Sequence, residues 1–300
     1  MQNKKTILLT GGTGFLGSFL VRKFLEANHK VIVLKRSFSN IWRLNEVKDK
    51  IIFYDIDKTD LETPFKEHRI DIVIHTATKY GKKGEKTSEI LESNLLFPLK
   101  LLEIATFFNT DTFFNTDTIL YKYLNKYSLS KKQFVEWLKL FSKDIKIFNL
   151  KLEHIYGETD DTTKFVPWII TQLLKNVKEI KLTPGEQKRD FVYISDVCEA
   201  YYLIFENVNR FDKGFYEYEI GSGNMIKIKD FVKKVKKIIN NKKTYLNFGA
   251  IPYRENEIME SKANIDKMKR DFGWEPKVSL EEGIEKTIDW YRRSLNEKSL

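Results

Sequence analysis

Residues 6–28 read Thr6-Ile-Leu-Leu-Thr-Gly-Gly-Thr-Gly-Phe-Leu-Gly-Ser-Phe-Leu-Val-Arg-Lys-Phe-Leu-Glu-Ala-Asn28. A short apolar strand, Ile7–Leu9, runs into three glycines at a spacing of three: Gly11, Gly14 and Gly17. Beyond them Phe19, Leu20, Phe24 and Leu25 recur at helical spacing, which predicts a helix over Ser18–Asn28. A plain strand-to-helix turn has no need of three spaced glycines. They permit a tight turn and close backbone approach, and the helix start offers free N–H groups to a pyrophosphate. Gly11, Gly14, Phe15, Leu16 and Gly17 are therefore candidate dinucleotide-binding residues.

Outward from this loop the first half alternates short apolar strands with helices. Strands are expected at Val31–Leu34, Ile51–Tyr54, Ile70–His75, Phe113–Asn115 and Ile145–Leu152, and helices around Leu61–His68, Leu91–Thr106 and Lys126–Phe141. Buried strands alternating with helices argue for an α/β fold, a Rossmann-type doubly wound parallel sheet. After Gly157 the rhythm becomes irregular, with helices expected at Phe165–Asn176, Ile228–Asn240 and Leu280–Arg293. The expected division is a dinucleotide-binding domain over 1–156, completed by parts of 190–223, and a smaller substrate-binding lobe over 157–300. Such a lobe is expected over the sheet's carboxyl edge, where these folds bind ligands. The hexamer Phe-Phe-Asn-Thr-Asp-Thr occurs twice, at Phe107–Thr112 and Phe113–Thr118. It is far too short for a structural repeat. The first copy should continue a helix and the second form a strand and its exit.

The end of the second strand speaks to the cofactor. An NAD site would place Asp or Glu there for the ribose hydroxyls; this chain has Leu34-Lys35-Arg36-Ser37. Lys35, Arg36 and Ser37 suit a 2′-phosphate, so NADP(H) is the expected cofactor. NADH would leave the two cations facing each other unpaired. Further on, Tyr127-Ser-Leu-Ser-Lys131 places a tyrosine and a lysine at i and i+4 on one helix face. The ammonium is expected to lower the tyrosine's proton affinity and poise it for proton transfer.

Together these residues resemble the extended short-chain dehydrogenase/reductase family of nucleotide-sugar enzymes, the NAD-dependent epimerase/dehydratase group. The resemblance extends over nearly the whole chain. It rests on Thr10–Gly17, Asp55-Ile56-Asp57, Ile74-His75-Thr76-Ala77-Thr78, Leu152–Gly157, Gly185-x-Gln187-x-Arg189-Asp190-Phe191-Val192, Pro252-Tyr253-Arg254-Glu255 and Phe272-Gly273-Trp274-x-Pro276. It implies cofactor contacts at Asp55, Ile56, Thr76, Ala77, Thr78 and Asn94, together with Tyr127 and Lys131. It implies substrate contacts at Thr118, His154, Lys164, Phe165, Arg189 and Arg254. The two arginines would clamp a diphosphate.

The family commonly separates its catalytic Ser/Thr from the tyrosine by some two dozen residues, whereas Thr118 and Thr116 lie nine and eleven positions before Tyr127. An ungapped count favours Thr118, and the flanking Thr-Asp pair favours Thr116. The shortened loop is similar to that of the small subgroup of CDP-abequose and CDP-paratose synthases, which reduce a 4-keto group. The implied reaction is NADPH-dependent reduction of C4 in a nucleotide-linked, CDP-type 4-keto-6-deoxy- or 3,6-dideoxyhexose, of the kind used in surface polysaccharides. An epimerase or dehydratase with tightly held NAD⁺ is the alternative. Dehydration would require an Asp-Glu pair after the threonine, and this chain has Asp117-Thr118. A non-catalytic, NADP-sensing or RNA-associated member of the fold is a third reading, opposed by the intact Tyr127/Lys131 pair.

Composition sets the limits. The 300 residues are 42% hydrophobic and 14% aromatic, ample for a core, so intrinsic disorder is excluded. No apolar run approaches the roughly 20 residues that span a bilayer, and the N-terminal apolar stretch is too short for a signal peptide. A soluble, cytoplasmic protein is expected. The net charge of +10 is carried by 42 lysines against 10 arginines, scattered without a basic tail, and reads as a solvated surface and not a nucleic-acid footprint. A single cysteine, Cys198, excludes a disulfide framework and a multi-cysteine metal site; it is expected in a helix core. His29 and His68 are expected at the surface without partners. Extra apolar residues on the helices Leu91–Thr106 and Lys126–Phe141, among them Leu95, Leu96, Phe97, Trp137 and Leu140, suggest a homodimer.

Overall fold

The computed structural model describes residues 4–82 and 84–297. In chain order the elements of the first half are β1 (Thr6–Thr10), α1 (Phe15–Glu26), β2 (Lys30–Lys35), β3 (Ile51–Asp55), α2 (Thr63–Glu67), β4 (Ile72–His75), α3 (Thr87–Leu91), α4 (Phe97–Phe107), β5 (Thr112–Thr118), α5 (Lys126–Phe141) and β6 (Lys146–Leu152). There follow β7 (His154–Tyr156), α6 (Phe165–Leu174), β8 (Glu179–Leu182), β9 (Lys188–Tyr193), α7 (Ile194–Asn207), β10 (Gly214–Ile220), β11 (Met225–Lys227), α8 (Ile228–Ile239), β12 (Tyr245–Phe248), α9 (Asp266–Phe272) and α10 (Leu280–Glu297). The chain divides into two compact units, residues 1–152 with 198–218, and residues 153–197 with 219–300.

The first unit is built on a seven-stranded sheet in the order β10-β6-β5-β4-β1-β2-β3, with β1 to β6 paired in parallel. This is the Rossmann-type doubly wound α/β fold. Strand order reverses between β1 and β4, and in open parallel sheets ligands bind at that switch point, beyond the strands' carboxyl ends. Each inner strand is apolar because both faces are covered: Ile7, Leu8, Leu9, Ile72, Val73 and Ile74 are all fully buried. One face packs Phe134, Val135 and Leu138 of α5 with Leu8, Val73, Phe113 and Ile147. On the other, Phe114 stacks between Phe148 and Tyr201.

Helix α1 starts three residues earlier than its periodicity suggests, because Gly14 caps it in extended conformation and Phe15 already turns. The apolar stretch expected as one helix from Leu91 begins at Thr87 and contains a π-turn, Glu92–Leu96, between α3 and α4. The repeated hexamer has two environments. Phe107 closes α4 and is 78% exposed, whereas Phe113 and Asn115 of β5 are fully buried. Cys198 is buried in α7, where desolvation pushes its thiol up.

The expectation for two histidines is corrected. His29 is buried, accepts the Lys5 N–H at Nδ1 (3.2 Å) and sits edge-on to Phe24 and Phe205. His68 lies between Lys30 Nζ (3.1 Å) and the Tyr54 hydroxyl (2.9 Å). An isolated position in sequence did not mean an isolated side chain.

The second unit holds β11-β9-β7 and β12-β8 sheets with α6, α8 and α10 packed on one another. The buried carboxylate of Asp190 accepts the backbone N–H groups of Ser222 (2.7 Å), Gly223 (3.0 Å) and Ala263 (3.2 Å) and the Ser222 hydroxyl (2.6 Å). Asp196 accepts the N–H groups of Lys277 and Val278, and its carbonyl takes the buried Trp274 indole. Side-chain knots of this kind hold loops that have little regular backbone pairing. Among the described residues no helix is long and apolar enough to cross a membrane.

Candidate active site

The glycine turn is tight for a stated reason at each end. Gly11 has φ +71°, and a Cβ there would fall 2.6 Å from Ala77 N and Thr76 Oγ1; one on Gly17 would fall 2.2 Å from Gly11 O. Gly14 N–H donates to Gly11 O at 2.9 Å, after which α1 begins with Phe15 and Leu16, whose side chains are buried. No acidic side chain occupies the first turn of α1, so its N–H groups are open to an anion. Thr76 donates through Oγ1 to Thr10 O (2.8 Å), and Ala77 N–H reaches Thr10 Oγ1 (3.4 Å). The carboxyl ends of β1 and β4 are thereby laced together at the switch point. A dinucleotide's pyrophosphate fits this backbone cradle.

At the adenosine end the sequence expectation needs correction. Lys35 and Arg36 are not unpaired cations: Arg36 Nε donates to Asp57 Oδ1 (2.5 Å), and Lys35 lies 3.7 Å from Asp55 Oδ2. Ser37 joins them, its hydroxyl donating to Asp55 (2.7 Å) and its N–H to Asp57 (2.9 Å), while Ile56 N–H donates to Lys35 O (2.9 Å). The Ser37 bond, with Lys35 nearby, holds the Asp55 carboxyl below its ordinary range. Sequence reasoning missed Arg43, whose guanidinium lies over the Trp42 ring (4.5 Å) and reaches Thr13 O of the glycine turn (3.4 Å). Its signal was weak, one Trp-Arg pair in a loop eight residues past β2.

Asn94 is buried in the π-turn. Its Oδ1 accepts from Lys79 N–H (2.8 Å) and Thr78 Oγ1 (3.2 Å), and its amide donates to Lys79 O (2.9 Å) and Ser130 Oγ (3.0 Å). These four bonds fill the side chain's capacity. Asn94 therefore holds the Thr78–Lys79 segment against α5 instead of facing outward.

Helix α5 presents the tyrosine and lysine. Asn125 caps it, accepting Ser128 N–H (2.9 Å) while Ser128 Oγ accepts Asn125 N–H (3.1 Å), so Tyr127 sits rigidly in the first turn. The Thr118 side chain acts on the Tyr127 hydroxyl, and the Tyr127 ring lies 5.0 Å from that of Tyr80, a residue the sequence did not single out. Thr116 belongs elsewhere, with Oγ1 bonded to the Tyr201 hydroxyl at 2.7 Å. Burial, then the Tyr80 and Asp117 charges, raise Tyr127 well above the ordinary tyrosine range, against the Thr118 bond. Against the expectation that Lys131 lowers the tyrosine, burial raises it in the protein by itself, and Lys131 is not among the groups acting on it. Desolvation keeps the phenol protonated. Lys131 is buried too, and desolvation brings its ammonium down to about 8. His75 bonds Thr10 Oγ1 through Nδ1 (2.8 Å) and is held neutral by burial beside Lys131.

In the second unit β7 and β9 pair in parallel, setting His154 beside Phe191. Arg189 donates to Glu257 (2.5 Å) and Lys188 O (2.8 Å) and feels the like charge of the exposed Arg254. His154 Nδ1 lies 2.9 Å from the buried Glu153, which also accepts from Ser261 (2.5 Å). Lys164 pairs with Asp160 (2.8 Å) just before α6, and Phe165 packs 6.1 Å from Phe231.

A glycine cradle at the switch point and a Thr-Tyr-Lys cluster at the same sheet edge define a dinucleotide-dependent enzyme fold. The sequence profile of the NAD dependent epimerase/dehydratase family matches residues 7–221, and the chain belongs to that family. It is 35% identical to CDP-abequose synthase of Salmonella muenchen, with 95% of this chain and 97% of the relative aligned. A putative UDP-glucose 4-epimerase of Methanocaldococcus jannaschii is 26% identical over 96% of this chain and 99% of that one. Among solved structures, UDP-glucose 4-epimerase of Thermotoga maritima with UDP-glucose superposes with a TM-score of 0.85 at 26% identity, covering 97% and 99% of the two chains.

Proposed function

We propose that the protein is an NADPH-dependent 4-ketoreductase of a nucleotide-linked, CDP-type 4-keto-6-deoxy- or 3,6-dideoxyhexose. The observation that carries this reading is the buried Tyr127, kept protonated by desolvation beside Thr118, with the nearby Asp117 carboxylate already engaged. Asp117 lies on the α5 side of β5 and is paired with Lys132 at 2.7 Å, which leaves it no free role as an acid toward substrate. Kinship along nearly the full length with CDP-abequose synthase of Salmonella muenchen supports the substrate class.

NADPH, once bound, would supply the hydride for C4. Tyr127 donates its proton to O4, Thr118 hydrogen-bonds that oxygen, and Lys131 holds the nicotinamide ribose. Gly11, Gly14, Gly17 and the N–H groups of Phe15 and Leu16 bind the pyrophosphate. Asp55, Ile56 and Ser37 border the adenosine, and Lys35 and Arg36 bind its 2′-phosphate by exchanging carboxylate for phosphate. Thr76, Ala77 and Thr78 line the nicotinamide side. Arg189 and Arg254 bind the substrate diphosphate, with His154, Lys164 and Phe165 as further substrate contacts. The protein acts in the cytoplasm as a homodimer. NADPH oxidation at 340 nm with a CDP-4-keto-3,6-dideoxyhexose tests the reading: stoichiometric turnover is expected. Purified protein that carries NAD⁺ and is inert toward the ketosugar would overturn it. One observation favours the epimerase alternative, namely the carboxylates Asp55 and Asp57 already engaging Lys35 and Arg36.

A further inference from the structure

Beneath the reaction centre lies a set of buried charges that the proposed reaction does not use. Along β5 the side chains alternate, so Asn115 and Asp117 turn to the face covered by α5 while Thr116 turns to Tyr201 of α7. The Asp117 side chain is wholly buried. Its Oδ2 accepts from Lys132 Nζ at 2.7 Å and Asn149 Nδ2 at 3.3 Å, and its Oδ1 has no hydrogen-bond partner among the described residues. The same Lys132 ammonium donates to the Thr118 backbone carbonyl at 2.5 Å. Asn149 extends the set by accepting from Asn115 (2.7 Å) and donating to Glu217 (2.8 Å), which lies 3.1 Å from Lys151.

A buried ion pair contributes little net stability, and an apolar pair of similar volume often serves as well. This one joins two elements at a particular atom. The Thr118 carbonyl is held by Lys132 of α5, its hydroxyl accepts Leu120 N–H (3.3 Å), and its side chain acts on Tyr127 of the same helix. We propose that Lys132 is a positioning residue of the reaction centre: gripping the Asp117 carboxylate and the Thr118 carbonyl together, it fixes the end of β5 against α5 and keeps the Thr118 hydroxyl on Tyr127. The proposal rests on the reading of Thr118, Tyr127 and Lys131 as the reacting cluster. Asp117 is the anion of this clamp and not an acid toward substrate. Its charge also reaches the cluster: the groups acting on Lys131 are Asp117 from β5, which raises it, and Lys132, which lowers it, while neutral His75 stands on β4.

The test uses the full chain and three variants, Lys132→Met, Lys132→Arg and Asp117→Asn. Lys132→Met should lose about 10- to 100-fold in kcat, the scale set by misplacing a reacting group by about 1 Å, with the KM for NADPH changed less than about twofold. Lys132→Arg, which keeps the charge and its reach, should recover most of that loss. Asp117→Asn should move the Lys131 titration, followed by ¹³C-lysine NMR and assigned with Lys131→Met, below its midpoint of about 8. An unchanged kcat in Lys132→Met, no rescue by arginine, or an unmoved Lys131 midpoint would each overturn the clamp. Should Lys132→Met fail to fold, the near-isosteric Asp117→Asn still decides. Absence of ketoreduction by the unmodified protein would sink the reductase reading alone, because the NMR titration does not depend on turnover.

Discussion

Tyr127 and Lys131 are both buried, and burial acts oppositely on the two: it keeps the phenol neutral and brings the ammonium down to about 8. A ketone reduction needs the phenol protonated, so Tyr127→Phe should cost about 10²- to 10⁴-fold in kcat while NADPH binding barely changes. Residual turnover above about a tenth of normal would remove Tyr127 from the role of proton donor. Lys131 gives a stability prediction with a definite sign. Its folded-state proton affinity lies below that of the unfolded chain, so holding the charge costs stability below pH 8, and that cost fades as pH rises from about 8 toward the free-lysine value. Lys131→Met should therefore stabilise the protein at pH 7, by up to about 3 kcal/mol from the size of the shift, and much less near pH 10. Urea unfolding at the two pH values measures this. A loss of stability at pH 7 would contradict it.

At the scale of elements, the helix start that carries Tyr127 depends on one cap. Asn125→Ala should cost about 1 kcal/mol in stability and also lower kcat, because fraying the first turn of α5 releases the tyrosine. A kcat unchanged by the substitution would show that packing on Tyr80 suffices. On the proposed reading, the paired ends of β2 and β3 would set cofactor choice. A 2′-phosphate would have to displace Asp55 and Asp57 from Lys35 and Arg36, so selection of NADPH would be a competition between anions. Charge-assisted bonds are worth roughly 1.5–3 kcal/mol each, and about 1.4 kcal/mol is tenfold. NADPH should lead NADH by at least about tenfold in kcat/KM, and Arg36→Ala should erase most of that lead. Asp57→Asn removes the competing anion and should tighten NADPH binding without affecting NADH. Equal use of both cofactors by the unmodified protein would return weight to the epimerase reading.

For the whole molecule, the first unit leaves Leu91, Leu96, Trp137 and Leu140 exposed on its α3–α4 and α5 helices, Leu140 at 63%. Apolar side chains gathered on neighbouring helices mark an association surface. Sedimentation equilibrium at micromolar concentration should give a dimer, and Trp137→Glu with Leu140→Glu should give a monomer. A monomeric unmodified protein would refute it. What the amino-acid sequence determined by itself was local: the glycine turn, the apolar strands around it and the boundaries of α5 follow from backbone sterics and periodicity within a few residues. The strands β7 to β12 left no comparable signal, since several of them are only partly buried and show no continuous apolar run like those of the first half. Tertiary structure alone decided that Thr116 pairs with Tyr201 while Thr118 acts on Tyr127, that Asp55 and Asp57 answer Lys35 and Arg36, and that desolvation holds the tyrosine's proton. Each of these depends on groups brought within a few ångströms from distant parts of the chain and on the water they exclude. Neither neighbours nor dielectric surroundings are written in the order of residues along one segment.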